Sequence, residues 1–173
     1  MSQEFFKKIS LPFPELSSNL KGDITVEHLY PNGTGIIYYS LADKILEKTI
    51  TDFFAQYQLY DPVISYAEIN ANIWLHRDIN GSAVINYYIE TPPARTLFYN
   101  ASSNDISLVN CTLADEFIAT NDSTWILDVS QVHSVTMIER GLRRMISVGF
   151  GSLDYQTVCD KLSVTSKMES ISV

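Results

Sequence analysis

Three short stretches of the chain hold side chains whose types and spacing could do chemistry. The first, Trp74-Leu75-His76-Arg77-Asp78, contains a His-x-Asp pair. Alternate side chains of an extended strand share a face, so His76 and Asp78 point one way and Arg77 the other. An imidazole and a carboxylate so placed can grip one cation, although the same pattern also describes an ordinary surface pair. The second stretch, Val132-His133-Ser134-Val135, lies 57 residues beyond His76 and offers another imidazole. Two imidazoles and one carboxylate on one side of a metal leave coordination positions open. That suits non-haem Fe(II), with room for O2 and a chelating co-substrate. The third stretch, from Gly141 to Phe150, places Arg143 and Arg144 on a predicted strand. A guanidinium at the bottom of an apolar barrel needs an anion, and a dicarboxylate supplies one through a two-pronged salt bridge.

These residues need a scaffold that brings distant strands together, and the texture of the chain supplies one. Beyond residue 62, short β-rich runs recur: 63–67, 73–76, 83–90, 96–99, 106–109, 116–119, 125–129, 133–139 and 143–150. Asn80-Gly81, Pro92-Pro93, Asn121-Asp122 and Gly141 break them up. That spacing argues for an antiparallel sandwich or jelly roll, not for alternating strands and helices. Before it, Pro12, Pro14, Pro31, Gly33 and Gly35 punctuate extended pieces, with one short strand at 24–30. A helix is predicted over 41–59, capped by Ser40, with Leu41, Ile45, Ile50, Phe53 and Phe54 on one stripe. A second helix is expected over 153–162, followed by a loose tail from 163. The expected organisation is a single domain over 1–173. It comprises an N-terminal support (1–61), a jelly-roll core (62–150), and a C-terminal helix and tail (151–173).

Composition narrows the function. The 173 residues are 46% hydrophobic and 12% aromatic, which is globular and excludes a disordered chain. A net charge of −8 and a pI near 4.7 disfavour general nucleic-acid binding, because an acidic surface repels phosphate. No apolar run has membrane-spanning or secretory length. A cytoplasmic protein is expected, and a bacterial or phage source fits the Asn- and Ile-rich, Arg-poor composition. Cys111 and Cys159 have no ligand spacing and read as free thiols. His28 has no partner in sequence and reads as structural.

The order His-x-Asp, "INYYIE", "ARTLFYN", "WILDVSQVHSV" and "RRMISVGF" resembles the 2-oxoglutarate- and Fe(II)-dependent dioxygenases, nearest their prolyl-4-hydroxylase-like branch, over roughly residues 60–150. The resemblance implies a mainly β, double-stranded β-helix (jelly roll, cupin-like) with one or two supporting N-terminal helices. It implies His76, Asp78 and His133 as iron ligands and Arg143 as the partner of the distal carboxylate of 2-oxoglutarate. Tyr66, Tyr88, Ser147 and Asn86 would help hold that co-substrate, although the two tyrosines read equally as core aromatics. The implied cofactors are Fe(II), 2-oxoglutarate and O2, with ascorbate as an auxiliary reductant. The implied activity is hydroxylation of a peptide side chain or small molecule, releasing succinate and CO2. The loop after Asp78 is short and the helical support slight compared with larger relatives.

Two rival readings stand beside this one. A non-catalytic jelly-roll binding or structural module would leave the triad accidental. A cupin-type metalloenzyme that does not use 2-oxoglutarate would keep the metal and lose the anion site. The choice between Arg143 and Arg144 rests on strand parity. Ser147 shares a face with Arg143, while Ile146, Val148 and Phe150 share one with Arg144. That apolar set should pack against the first helix, which leaves Arg143 facing inward.

Overall fold

A computed structural model describes residues 4–11, 14–16, 19–78, 83–104, 106–151 and 153–169, with side chains described to residue 163. In chain order the elements are β1 (Phe6–Ile9), β2 (Lys21–Leu29), β3 (Gly35–Leu41), α1 (Lys44–Ala55), β4 (Val63–Ile69), β5 (Ile73–His76), β6 (Val84–Glu90), β7 (Ala94–Ala101), β8 (Cys111–Ile118), β9 (Ser123–Leu127), β10 (Val132–Met137), β11 (Arg143–Gly149) and α2 (Tyr155–Glu169).

The strands form two antiparallel sheets. The larger has the order β1-β9-β6-β11-β4-β3-β2 and the smaller β5-β10-β7-β8. From β4 to β11 the chain passes repeatedly between the sheets, so β11 lies between β4 and β6, and β10 lies between β5 and β7. This crossing pattern makes the fold a jelly roll, and it brings the His-x-Asp strand beside the strand that carries His133.

Strand alternation divides the apolar residues into two layers. On the outer face of the large sheet, Ile85, Ile126, Ile146, Val148 and Phe150 pack against Leu46, Ile50 and Phe54 of α1 and Val158 of α2. The rings of Phe54 and Phe150 meet edge to face, with centroids 5.2 Å apart. On the inner face, Ala67, Ile69, Tyr88, Phe98, Phe117 and Met145 fill the space between the sheets.

Several expected boundaries move. Ser40 and Leu41 belong to β3, so the cap of α1 is Asp43, whose carboxylate accepts from the amides of Ile45 and Leu46. The buried stripe of α1 therefore runs through Leu46 rather than Ile45, which is 82% exposed. The run expected at 106–109 is a turn region, and the edge strand β8 begins at Cys111. Helix α2 continues to Glu169, past the expected end at 162, because neither Pro nor Gly interrupts 163–169. The turn expected at Asn80-Gly81 lies outside the described residues. Gly35 opens β3 against the backbone of β2, and a Cβ there would meet the His28 carbonyl oxygen at 2.0 Å. Only glycine permits that approach. Among the described residues no helix is long and apolar enough to cross a membrane.

Candidate metal centre

His76 closes β5 and His133 lies near the start of β10, and the two are direct cross-strand partners. Their ring centroids lie 4.2 Å apart. Asp78 lies beyond the end of β5, anchored by its amide, which donates to the Val129 carbonyl at 3.0 Å. Its Oδ1 comes within 3.4 Å of His76 Nε2 and 4.0 Å of His133 Nε2. The ligand atoms of the three side chains all fall within 4.8 Å of one another, which is compact enough to hold one metal ion.

Both imidazoles are oriented by the backbone two residues before them. His76 Nδ1 lies 2.7 Å from the Trp74 carbonyl, and His133 Nδ1 lies 2.9 Å from the Gln131 carbonyl. A carbonyl only accepts, so each Nδ1 carries the proton and each Nε2 keeps its lone pair for the metal. Burial and the neighbouring His76 push the pKa of His133 down to about 4. Burial acts in the same sense on His76, but hydrogen bonds to Asp78 and the Trp74 carbonyl outweigh it and raise that pKa. His133 is the buried floor of the cluster, while His76 and Asp78 are 37% and 40% exposed at its rim.

The rim opens into a cavity of about 920 Å3 between the sheets. Its walls include Tyr38, Ser65, Ser147 and Val84 from the large sheet, Trp74 and Arg77 beside the triad, and Val26 and Leu29 of the edge strand β2. Strand parity does not hold across the whole His-x-Asp stretch. The register is irregular in the β5–β10 pairing, and β5 stops at His76. Arg77 consequently lines the cavity instead of pointing away from it, and Trp74 stands 71% exposed at its mouth.

Arg143 is 1% exposed and faces inward from β11. Its guanidinium stacks over the Tyr88 ring at 4.3 Å, and its terminal nitrogens donate to Thr96 Oγ1 at 3.3 and 3.4 Å. Its Nε is buried without a partner, and among the described residues no carboxylate pairs with it. Arg144, on the opposite face, pairs with Glu90 and Glu68 of the neighbouring strands β6 and β4.

In fold, the chain is like E. coli ycfD (TM-score 0.52, 9% identity, 90% of this chain and 52% of that one). Two further solved structures that match are Fe(II)-HppE with the alternative substrate (S)-1-HPP and a mutant of Bacillus subtilis oxalate decarboxylase OxdC. The first gives a TM-score of 0.47 at 9% identity, covering 83% of this chain and 64% of that one. The second gives 0.44 at 14% identity, covering 83% and 31%. The chain thus spans less than two thirds of each of these proteins. No family model and no curated protein matches the chain.

Of the remaining expected site residues, Tyr88 and Asn86 face the interior, as does Ser147. Ser147 lies four residues along β11 from Arg143, about 13 Å, with Met145 between them on the same face, so the two cannot share one carboxylate. Tyr66 is on the wrong side of the sheet: it packs in the helix-facing layer, and its hydroxyl donates to Glu68 at 3.2 Å. Its inward neighbour on β4 is Ala67. The interior tyrosine absent from the sequence reading is Tyr38, on β3 beside Ala67. Burial, with Asp78 and Tyr88 close by, pushes its hydroxyl pKa well up. Nothing in the sequence reading singles out Tyr38, because residues 36–39 lie between the turns ending at Gly35 and the helix expected from Leu41 and are given no element there. Thr96 is within reach of sequence reasoning, since it shares strand parity with Phe98, which lies opposite His133.

Proposed function

We propose that the chain is a 2-oxoglutarate- and Fe(II)-dependent oxygenase that hydroxylates a small molecule or peptide side chain. The observation that carries this reading is Arg143, a buried cation facing the barrel interior that holds the triad, with no acidic partner among the described residues. A buried charge is costly unless an opposite charge meets it, so the site fits a ligand that brings a carboxylate. His76, Asp78 and His133 would hold Fe(II), which when bound couples oxidation of the co-substrate to that of the substrate. The Trp74 and Gln131 carbonyls hold the imidazoles with Nε2 free, and Arg143, steadied by Thr96 and Tyr88, would take the distal carboxylate.

The test is succinate formation from 2-oxoglutarate with Fe(II) and ascorbate across a panel of candidate substrates. Succinate should appear with the parent protein and vanish with His76→Ala. Failure of 2-oxoglutarate to bind the metal-loaded protein in calorimetry would reject the reading. A second reading, a cupin-type metalloenzyme that does not use 2-oxoglutarate, is favoured by one observation. His76 and Asp78 line the cavity, whereas Arg143 does not, its guanidinium lying over the Tyr88 ring. The same calorimetry decides between the two.

A further inference from the structure

Arg77 lies between His76 and Asp78 in sequence, yet the triad makes no use of its side chain. It lines the cavity because β5 ends at His76 and the β5–β10 register is irregular there. Among the described residues its guanidinium makes no hydrogen bond and no ion pair. Its Nε is buried without a partner, whereas its terminal nitrogens are not buried and stay open to a ligand. Apart from the triad, Arg77 is the one formally charged side chain that the described residues give to the cavity wall. Acidic residues outnumber basic ones by 20 to 12 in this chain, yet the free charge at the cavity is positive. Much of the remaining wall is apolar, with Val26 and Leu29 on β2, Ile36 on β3, Val84 on β6 and Trp74 at the mouth. A guanidinium in such a recess is a strong donor that lacks its natural acceptor.

We infer that Arg77 anchors the substrate, and that the substrate is an apolar molecule bearing one carboxylate. The planar fork of an arginine matches a carboxylate through two parallel hydrogen bonds. Among the described residues no lysine and no second arginine reaches the wall, so the site is short of the donors that a phosphate dianion needs. Arg143 is no rival for this group, because it does not line the cavity. Arg77 is flanked by two of the metal ligands, so a carboxylate held by it stays within one side-chain length of the metal position. The carbon offered to the metal is then one near the acid end, and the apolar body runs along Val84, Val26 and Leu29 toward Trp74. This inference rests on the oxygenase reading and names its substrate class, but its test is binding and needs no turnover.

The probes are phenylacetate, phenylacetamide and phenyl phosphate, titrated into the full chain with and without Zn(II) and followed by NMR. The acid should bind at least about tenfold more tightly than the amide in both states, through charge-assisted bonds to the guanidinium. Arg77→Gln should abolish that preference. Arg77→Lys should keep part of it, because lysine retains the charge and loses the fork. Arg77 is partly exposed, so both variants should fold. Equal binding of acid and amide would overturn the inference. So would a preference that survives Arg77→Gln, or one that requires Zn(II), which places the carboxylate on the metal. Tighter binding of phenyl phosphate would overturn the carboxylate assignment. Loss of 2-oxoglutarate binding in metal-loaded Arg77→Gln would also overturn it, because the arginine would then belong to the co-substrate. Failure of the parent protein to bind 2-oxoglutarate would instead reject the oxygenase reading and leave the preference for the acid standing.

Discussion

His76 and His133, 57 residues apart in sequence, are register partners on adjacent antiparallel strands. The jelly-roll crossing alone accounts for their meeting, since β10 is inserted between β5 and β7. Each imidazole is then set by a carbonyl of its own strand segment, so the pairing of β5 with β10 fixes both the distance and the tautomer. Asp78 is tied to the same unit through the Val129 carbonyl, just ahead of β10. The triad is thus one local structure, oriented by backbone hydrogen bonds, with His133 also stacked on Phe98.

One equivalent of Fe(II), or of Mn(II), Ni(II) or Zn(II) in its place, is expected to bind. His76→Ala and Asp78→Ala should each reduce the affinity at least about a hundredfold, because two ligands hold a labile divalent ion poorly. His76 and Asp78 are partly exposed, so both variants should fold. Calorimetric titration reads the effect, and parent-like affinity in either variant would refute the triad.

Gly35→Ala tests the outer wall of the cavity. The new Cβ would strike the His28 carbonyl, and β2 pairs with the rest of its sheet only through β3. Either β2 moves or the strain remains, at a cost of about 1–3 kcal/mol. Denaturant unfolding should show the loss, and amide exchange should localise it to β2 while β10 and β11 stay protected. An unchanged midpoint would mean that the two backbones are not in close contact.

The jelly roll and the His-x-Asp pair are legible in the sequence because both depend on local signals: turn residues at regular spacing, alternation within strands, and two ligand types one residue apart; His133, a distant ligand, enters only through the family resemblance. The inward face of Arg143 is legible for the same reason, since Ile146, Val148 and Phe150 mark the opposite face. What the sequence conceals is non-local. Strand β3 escapes it because residues 36–39 fall between the turns that end at Gly35 and the helix expected from Leu41, and only pairing with β4 shows that the β-rich run Ile36-Ile37-Tyr38-Tyr39 is a strand. Tyr38 is hidden with it. Tyr66 falls on the unexpected face because spacing from His76 carries no parity information across the turn between β4 and β5. Arg77 defies alternation because β5 ends one residue before it.

The two tyrosines can be separated by experiment. Tyr88→Phe keeps the ring beneath Arg143 and removes an interior hydroxyl, whereas Tyr66→Phe removes a hydroxyl that bonds Glu68 on the far side of the sheet. On the oxygenase reading, Tyr88→Phe should weaken 2-oxoglutarate binding several-fold, and Tyr66→Phe should leave it unchanged while lowering stability by about 1 kcal/mol. Calorimetry and thermal melts distinguish them. Weakened co-substrate binding in Tyr66→Phe alone would mean that the face assignment of β4 is inverted.

Arg143 and Arg144 provide the sharpest contrast, because adjacent residues should respond in opposite directions. An arginine stays protonated inside the barrel, and Arg143 has only a threonine hydroxyl and an aromatic face to offset its lost hydration. A buried charge without a counter-charge opposes folding, and replacing it with an apolar side chain of similar length relieves that cost. Arg143→Met should therefore raise the stability of the ligand-free protein by about 1–3 kcal/mol while abolishing metal-dependent 2-oxoglutarate binding. Arg144→Met breaks a partly exposed pair with Glu90 and one with the buried Glu68, which keeps its ion pair with Lys21, so it should cost no more than about 1 kcal/mol and leave co-substrate binding intact. Melts of the metal-loaded proteins with and without 2-oxoglutarate measure both quantities together. A destabilised Arg143→Met that still binds 2-oxoglutarate would make this arginine a structural element of the barrel and remove the strongest support for the co-substrate.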